Sequence, residues 1–322
     1  MRHAVLLLLL LCGCSSLSHD DQQQLSGHQR NAKFYLEGGR LDQALDQIER
    51  GLRIEPDDYQ LRAMRGTVLL RQSGSSLRTE HRLLDEATAI LTDVYESRSP
   101  SRHEPFVLLP YALALQKQGR RRLGEEIRLR GQASRAPDQQ ELLAAADVQR
   151  DQAHDFLARA GAVLDVLIER GELLRQAWNH KLQIAQDLGD DKAFVAAAHS
   201  YLDQAAKDQA TVRREIDRTL VPAYESEQTR LLRTLQAEEL EVRALLADHH
   251  YSRQQYDAAL AQLNRVLELD PQRSTDYYNR GRVLMELGRG DEAKADFRKF
   301  LATSTLPPSS DKVTLAMKAL DQ

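Results

Sequence analysis

Residues 240–273 read LEVRALLADHHYSRQQYDAALAQLNRVLELDPQR, and residues 274–307 read STDYYNRGRVLMELGRGDEAKADFRKFLATSTLP. Written one above the other, they set Ala247 over Gly281, Ala259 over Ala293, Leu263 over Phe297, Val266 over Phe300 and Leu267 over Leu301. Within each stretch the apolar positions recur three and four residues apart, which is the period of one helix face. Pro271 closes the first stretch as a helix stop should, and Gly288 marks a reversal within the second. The spacing predicts two helices per stretch. Small side chains let the paired helices approach closely, and larger ones fill the gap to the next pair.

The pattern returns near the other end of the chain. Ala44, Ile48, Gly51, Leu52 and Pro56 repeat the spacing of Ala259, Leu263, Val266, Leu267 and Pro271. A period of 34 residues with these occupants resembles the tetratricopeptide repeat. Residues 274–307 match best, with Tyr277 near the usual Trp, Gly281 at the small position where two helices touch, Gly288 at the turn, then Ala293 and Phe297. Residues 25–58 match through Tyr35, Gly39, Ala44, Ile48 and Pro56. The resemblance implies an all-α, tetratricopeptide-like helical-hairpin solenoid, in which stacked repeats bury one continuous core.

Other segments are looser. Residues 59–100 read as a repeat opened by an insertion, with Gly66 and Leu69 on its first helix and Ala87, Leu91 and Val94 on its second. Residues 104–131 read as a further pair joined near Gly119, and residues 175–208 as a degenerate repeat with Trp178 and Gly189, where Phe194 stands in place of the usual Ala. From 209 to 253 the periodicity predicts two long helices broken at Pro222. The division expected is N-terminal repeats over 27–136, a non-repetitive helical middle over 137–237, a C-terminal repeat pair over 238–305 and a capping helix over 306–322.

Composition agrees with an all-helical chain. Of 322 residues, 42% are hydrophobic, 29% charged and only 5% aromatic, with nine Pro and sixteen Gly. That is enough apolar material for a core, and too few aromatics for a sandwich or barrel. A net charge of −4 removes the electrostatic case for a nucleic-acid binder.

Both cysteines lie at the start, in MRHAVLLLLLLCGCSS. A basic beginning and a short apolar run ending at a small residue read as a secretory signal, too short to span a bilayer. Leu11-Cys12-Gly13-Cys14 resembles the lipobox of bacterial lipoproteins, in which cleavage precedes a cysteine that is then acylated. That resemblance implies a signal peptide over 1–13 and lipidation of Cys14. Residues 14–26 then form a flexible polar tether, and the chain faces the periplasm from the cell envelope. Ser15 after Cys14 favours the outer membrane.

Motifs for chemistry are thin. There is no Gly-rich phosphate loop, no His-Glu-x-x-His and no Gly-x-Ser-x-Gly. Adjacent His249 and His250 point about 100° apart on a helix and cannot share a metal unaided. No cofactor, no metal and no catalytic residue are expected. Lys117, Arg120, Arg121, Arg122, Arg128, Arg130 and Arg135 cluster, but Glu125 and Glu126 dilute their field, so a solvated helix surface is the reading taken.

What remains is a surface for other proteins. The repeat resemblance implies a groove lined by first helices, at Asp248, Tyr251, Tyr278 and Arg282. Some family members grip a terminal carboxylate with one Lys and two Asn. Asn279 holds one such position, but Ala244 and Asp248 hold the others, so that clamp is not expected. The function expected is a lipid-anchored scaffold or adaptor for an envelope assembly, whether secretion, pilus or cell-wall machinery. The alternative is a periplasmic peptide- or small-ligand-binding protein using a pocket around Trp178.

Overall fold

The computed structural model describes residues 17–74, 80–97, 103–135 and 139–321, and among them lie thirteen α-helices and no strand. The signal segment and Cys14 lie outside the described residues. The chain forms two compact units that divide at Leu167 and Ile168.

The first unit holds α1 (His19–Glu37), α2 (Leu41–Ile54), α3 (Tyr59–Gln72), α4 (Glu80–Glu96), α5 (Pro105–Ala133) and nearly all of α6 (Gln139–Glu169). Helices α1 and α2 form one hairpin and α3 and α4 the next. The polar segment expected to be a tether is helical from His19 onward. Ser18 caps α1 by accepting the Asp21 N–H at 3.1 Å, and Leu25 is buried in the core with Ala44, Ile48 and Leu61. Its polar majority is the solvent face of a helix whose later turns bury Ala32 and pack Tyr35 and Leu36 on the same core.

A second correction concerns Gly119. No turn occurs there, and α5 runs 29 residues without a break. A Cβ on Gly119 would lie 2.6 Å from Cγ of Leu157 on α6, so the glycine serves close helix packing. Gly66 does the same against Leu91 between α3 and α4. Both glycines lie in helices whose neighbours press a leucine into the missing side chain.

In the second unit, α7 (Leu174–Leu188) pairs with α8 (Asp191–Arg218), α9 (Pro222–Ser252) with α10 (Tyr256–Leu269), and α11 (Ser274–Glu286) with α12 (Gly290–Thr303). Helix α13 (Asp311–Leu320) packs on α12. Its Val313 and Ala316 join the core of Tyr278, Leu284, Phe297 and Phe300, so it covers the last hairpin. Helices α8 and α9, 28 and 31 residues long, break where Pro222 opens α9.

One turn geometry recurs at four hairpins. Gly39, Gly189, Gln254 and Gly288 have φ of 70°, 66°, 59° and 72°. In each case the following N–H donates to a carbonyl five residues back: Arg40 to Tyr35 (2.8 Å), Asp190 to Ala185 (2.9 Å), Gln255 to His250 (2.9 Å) and Arg289 to Leu284 (2.8 Å). This is a helix-terminating left-handed turn. Gln254 and Gly288 stand 34 residues apart, so the repeat persists in backbone where the glycine has been lost.

Candidate functional site: the inner face of the C-terminal hairpins

The closing turns of α9 carry Ala244, Ala247, Asp248 and Tyr251, spaced so that one face presents them. Helix α11 lies beyond α10 and offers Asn279, Arg282 and Val283 to the same face. These side chains, floored by Leu263 of α10, line a shallow cleft of about 20 Å³. Such a volume holds a single water and no buried side chain. A partner would therefore lie across this face rather than plug into it.

Charge at the cleft is arranged by stacking. The Arg282 guanidinium carbon sits 4.3 Å from the centre of the Tyr251 ring. A cation over an aromatic face is held electrostatically and keeps its outer N–H groups for other acceptors. Asp248 is exposed one helical turn before Tyr251. Tyr251 is half-buried and meets Tyr256 edge-on at 5.6 Å. Asn279 donates to Asp276 at 3.5 Å. The result is a guanidinium, a carboxylate, a phenol and an amide on one surface, which suits an extended peptide backbone or a carboxylate.

Three of the four residues expected in the groove, Asp248, Tyr251 and Arg282, come together. Tyr278 does not join them as a surface anchor. It is 4% exposed, with Phe300 and Phe297 at 5.3 and 6.0 Å between ring centres. Helix α13 brings Val313 into the same cluster and Lys312 to 5.8 Å from the ring. Burial raises the Tyr278 pKa above its ordinary value, with the Arg282 charge opposing. Spacing of four from Arg282 placed Tyr278 on the right helix face, but the capping helix covers that end of the face.

A polar pair behind the cleft was not singled out in the sequence. Arg280 makes a two-pronged contact with Asp296 of α12, at 2.7 and 2.8 Å, and reaches Asn264 of α10 at 3.0 Å. It locks α10, α11 and α12 together beneath the surface. Nothing in the local pattern distinguishes it from an ordinary solvated charge, because its partners lie 16 residues away on either side.

His250 is buried and bonded through Nδ1 to Gln255 Oε1 at 2.6 Å. His249 instead stacks on Phe194, 4.6 Å between ring centres. Burial pushes the His249 pKa down, partly offset by Asp191. Among the described residues no three His, Cys, Asp or Glu side chains converge as metal ligands. Asp190 caps α8 by accepting the Ala193 N–H at 2.9 Å. Trp178 packs against the core of Leu182, Phe194 and Tyr201.

No curated protein matches the sequence. Residues 246–320 match the tetratricopeptide repeat family model. Among solved structures, the nuclear import adaptor Nro1 of S. pombe is similar over 94% of this chain and 98% of its own, at 14% identity and a TM-score of 0.52. A tetratricopeptide repeat protein of Parabacteroides merdae is similar over 93% of this chain and 100% of its own, at 15% identity and a TM-score of 0.34. All of the cleft but Ala244 thus lies within residues 246–320, the segment that matches the tetratricopeptide repeat model, in an all-helical hairpin fold.

Proposed function

We propose that this chain is an interaction scaffold whose C-terminal hairpins hold a segment of another protein. The observation that carries this reading is the stacked Arg282–Tyr251 pair beside exposed Asp248, on the inner face of a repeat segment. The fold is that of protein–protein interaction modules. The finer reading is a lipid-anchored adaptor in the cell envelope. It is acylated at Cys14, faces the periplasm from the outer membrane, and serves a secretion, pilus or cell-wall assembly. It rests on the N-terminal residues Leu11-Cys12-Gly13-Cys14. Anchoring through acyl chains needs no spanning helix, and no described helix is long and apolar enough to cross a membrane.

Site-specific photo-crosslinking in intact cells tests the scaffold reading. A crosslinker replacing Asp248 should capture one dominant protein. The same crosslinker at Arg298, exposed on α12, should not capture it. Equal capture from both positions, or capture at Arg298 alone, refutes the cleft as the contact. The anchor is read separately: Cys14→Ser should leave the membrane fraction or remain uncleaved, and an unmodified Cys14 in mature membrane-bound protein refutes lipidation.

A further inference from the structure

The basic run on α5 changes meaning once folded. Lys117, Arg120, Arg121 and Arg122 line an open cleft of about 730 Å³, bordered by His81 of α4 and Gln149 of α6. Small-molecule sites commonly span about 300–1,000 Å³. Two carboxylates, Glu80 and Glu125, also border it, so the lining keeps an excess of two positive charges. Arg121 also pairs with Asp85 at 2.9 Å outside the cleft, and Glu125 is engaged by Arg128.

The lining is also held in place. Lys117 Nζ donates to the Leu70 carbonyl at 3.3 Å, and Arg122 Nη1 to Gln149 at 3.0 Å. Arg122 Nε is buried with no acceptor. A cation that has already surrendered its side-chain freedom loses less entropy when a ligand arrives. Among the described residues no Phe, Tyr or Trp borders the cleft to stack a nucleobase, and Leu84 is the single aliphatic side chain. Guanidinium forks match the paired oxygens of phosphate groups. The cleft is far larger than one phosphate.

We propose that this cleft binds a compact polyanion carrying more than one phosphate, separately from the protein-binding face of the second unit. The phosphates belong either to a free solute or to a lipid headgroup.

Pyrophosphate is the probe, titrated into the full chain at low ionic strength, with inorganic phosphate as comparison. The expected result is saturable binding, tighter for pyrophosphate, that weakens as salt is raised. Arg120→Gln with Arg122→Gln should weaken it at least ~tenfold with the helical signal intact, whereas the same pair changed to Lys should keep part of the affinity. Arg50→Gln with Arg53→Gln on α2 should have no effect. Binding to vesicles of cardiolipin, which carries two phosphates, and phosphatidylcholine, in excess of binding to phosphatidylcholine alone and with that excess lost in the Arg120/Arg122 Gln variant, assigns the phosphates to a headgroup. Pyrophosphate binding without that excess assigns them to a solute. The proposal is overturned if neither probe binds. It is equally overturned if the α5 variant binds as the unaltered chain does, or if the α2 variant loses as much.

Discussion

Gly281 allows the packing logic to be tested with one atom. A Cβ there would lie 2.7 Å from Cε1 of Phe297 and 3.0 Å from both Cδ1 and Cζ. Ordinary carbon contacts begin near 3.5 Å, so the ring must retreat by roughly 0.5–0.8 Å. It has little space to do so: Phe297 is 3% exposed and packs beside Tyr278, with Phe300 at 0% exposure in the same cluster. Overpacking of this kind costs about 1–3 kcal/mol, against a gain of up to ~1 kcal/mol from replacing a mid-helix glycine with alanine. Gly281→Ala should therefore be neutral to destabilising by ~3 kcal/mol, and Gly281→Leu should lose more, roughly 2–10 °C in melting temperature for a unit of this size. Gly124 on α5 is the control, because a Cβ there meets nothing within 4 Å. Gly124→Ala should stabilise by ~0.5–1 kcal/mol. Urea and thermal unfolding followed by far-ultraviolet circular dichroism read both. Adding Phe297→Leu to Gly281→Ala should cost less than the two single losses combined, since the smaller side chain relieves the clash. An unchanged melting temperature for Gly281→Leu, or equal effects at 281 and 124, would refute the register of α11 on α12.

Three further outcomes follow from individual contacts. Arg280→Met leaves Asp296, whose side chain is 8% exposed, without its partner; the expected loss is about 3 kcal/mol, and adding Asp296→Leu should recover much of it in the same urea assay. Hydrogen bonds from Arg243 and Gln209 outweigh burial and hold the Glu239 carboxyl below its ordinary pKa of 4.5. A lowered folded value means stability that is full above about pH 4.5 and lost as pH falls through the folded value, so Glu239→Gln should flatten the melting-temperature profile in that acidic window, and an unaltered slope would remove the network from the account. Gln254 holds φ 59° where three related turns have glycine; Gln254→Gly should raise the unfolding midpoint by up to ~1 kcal/mol, and a fall would mean that the side chain contributes more than the turn strain costs.

How far the fold was legible depended on which interactions were local. Helix periods, the stops at Pro56 and Pro271 and the break at Pro222 all act within a few residues, and each stands where the spacing predicted it. Gly119 misled because a glycine has two uses, reversing a chain or admitting a neighbour. Which one applies depends on Leu157, 38 residues away. Gln254 hid the opposite way: its turn is enforced by the hairpins on either side, so the chain tolerates a residue that no turn rule would place there. Residues 19–26 were misread for a third reason. Ser18 and Leu25 supply a cap and one buried contact, too small a signal against eight mostly polar neighbours, yet enough once α2 and α3 provide the surface.

The candidate site was legible only as far as the register reached. A shift of 34 residues places α9 and α11 as equivalent first helices, and that alone brings Asp248, Tyr251 and Arg282 to one face. What the shift does not contain is what happens after the last repeat. Tyr278 belongs to a helix that a further hairpin would have covered in a longer array, and α13 covers it instead. Its ring is therefore part of the core, and Tyr278→Ala would open a cavity costing about 3–5 kcal/mol before any partner was lost. A binding test built on Tyr278 would confuse unfolding with loss of contact. Arg282 carries far less of that ambiguity. Its guanidinium rests on the outer Tyr251 ring at 4.3 Å and reaches only the edge of the core, 5.9 Å from the centre of the Tyr278 ring, so Arg282→Gln removes the charge without opening a cavity around Phe297. Partner capture that falls while the melting temperature holds separates the surface from the core that carries it.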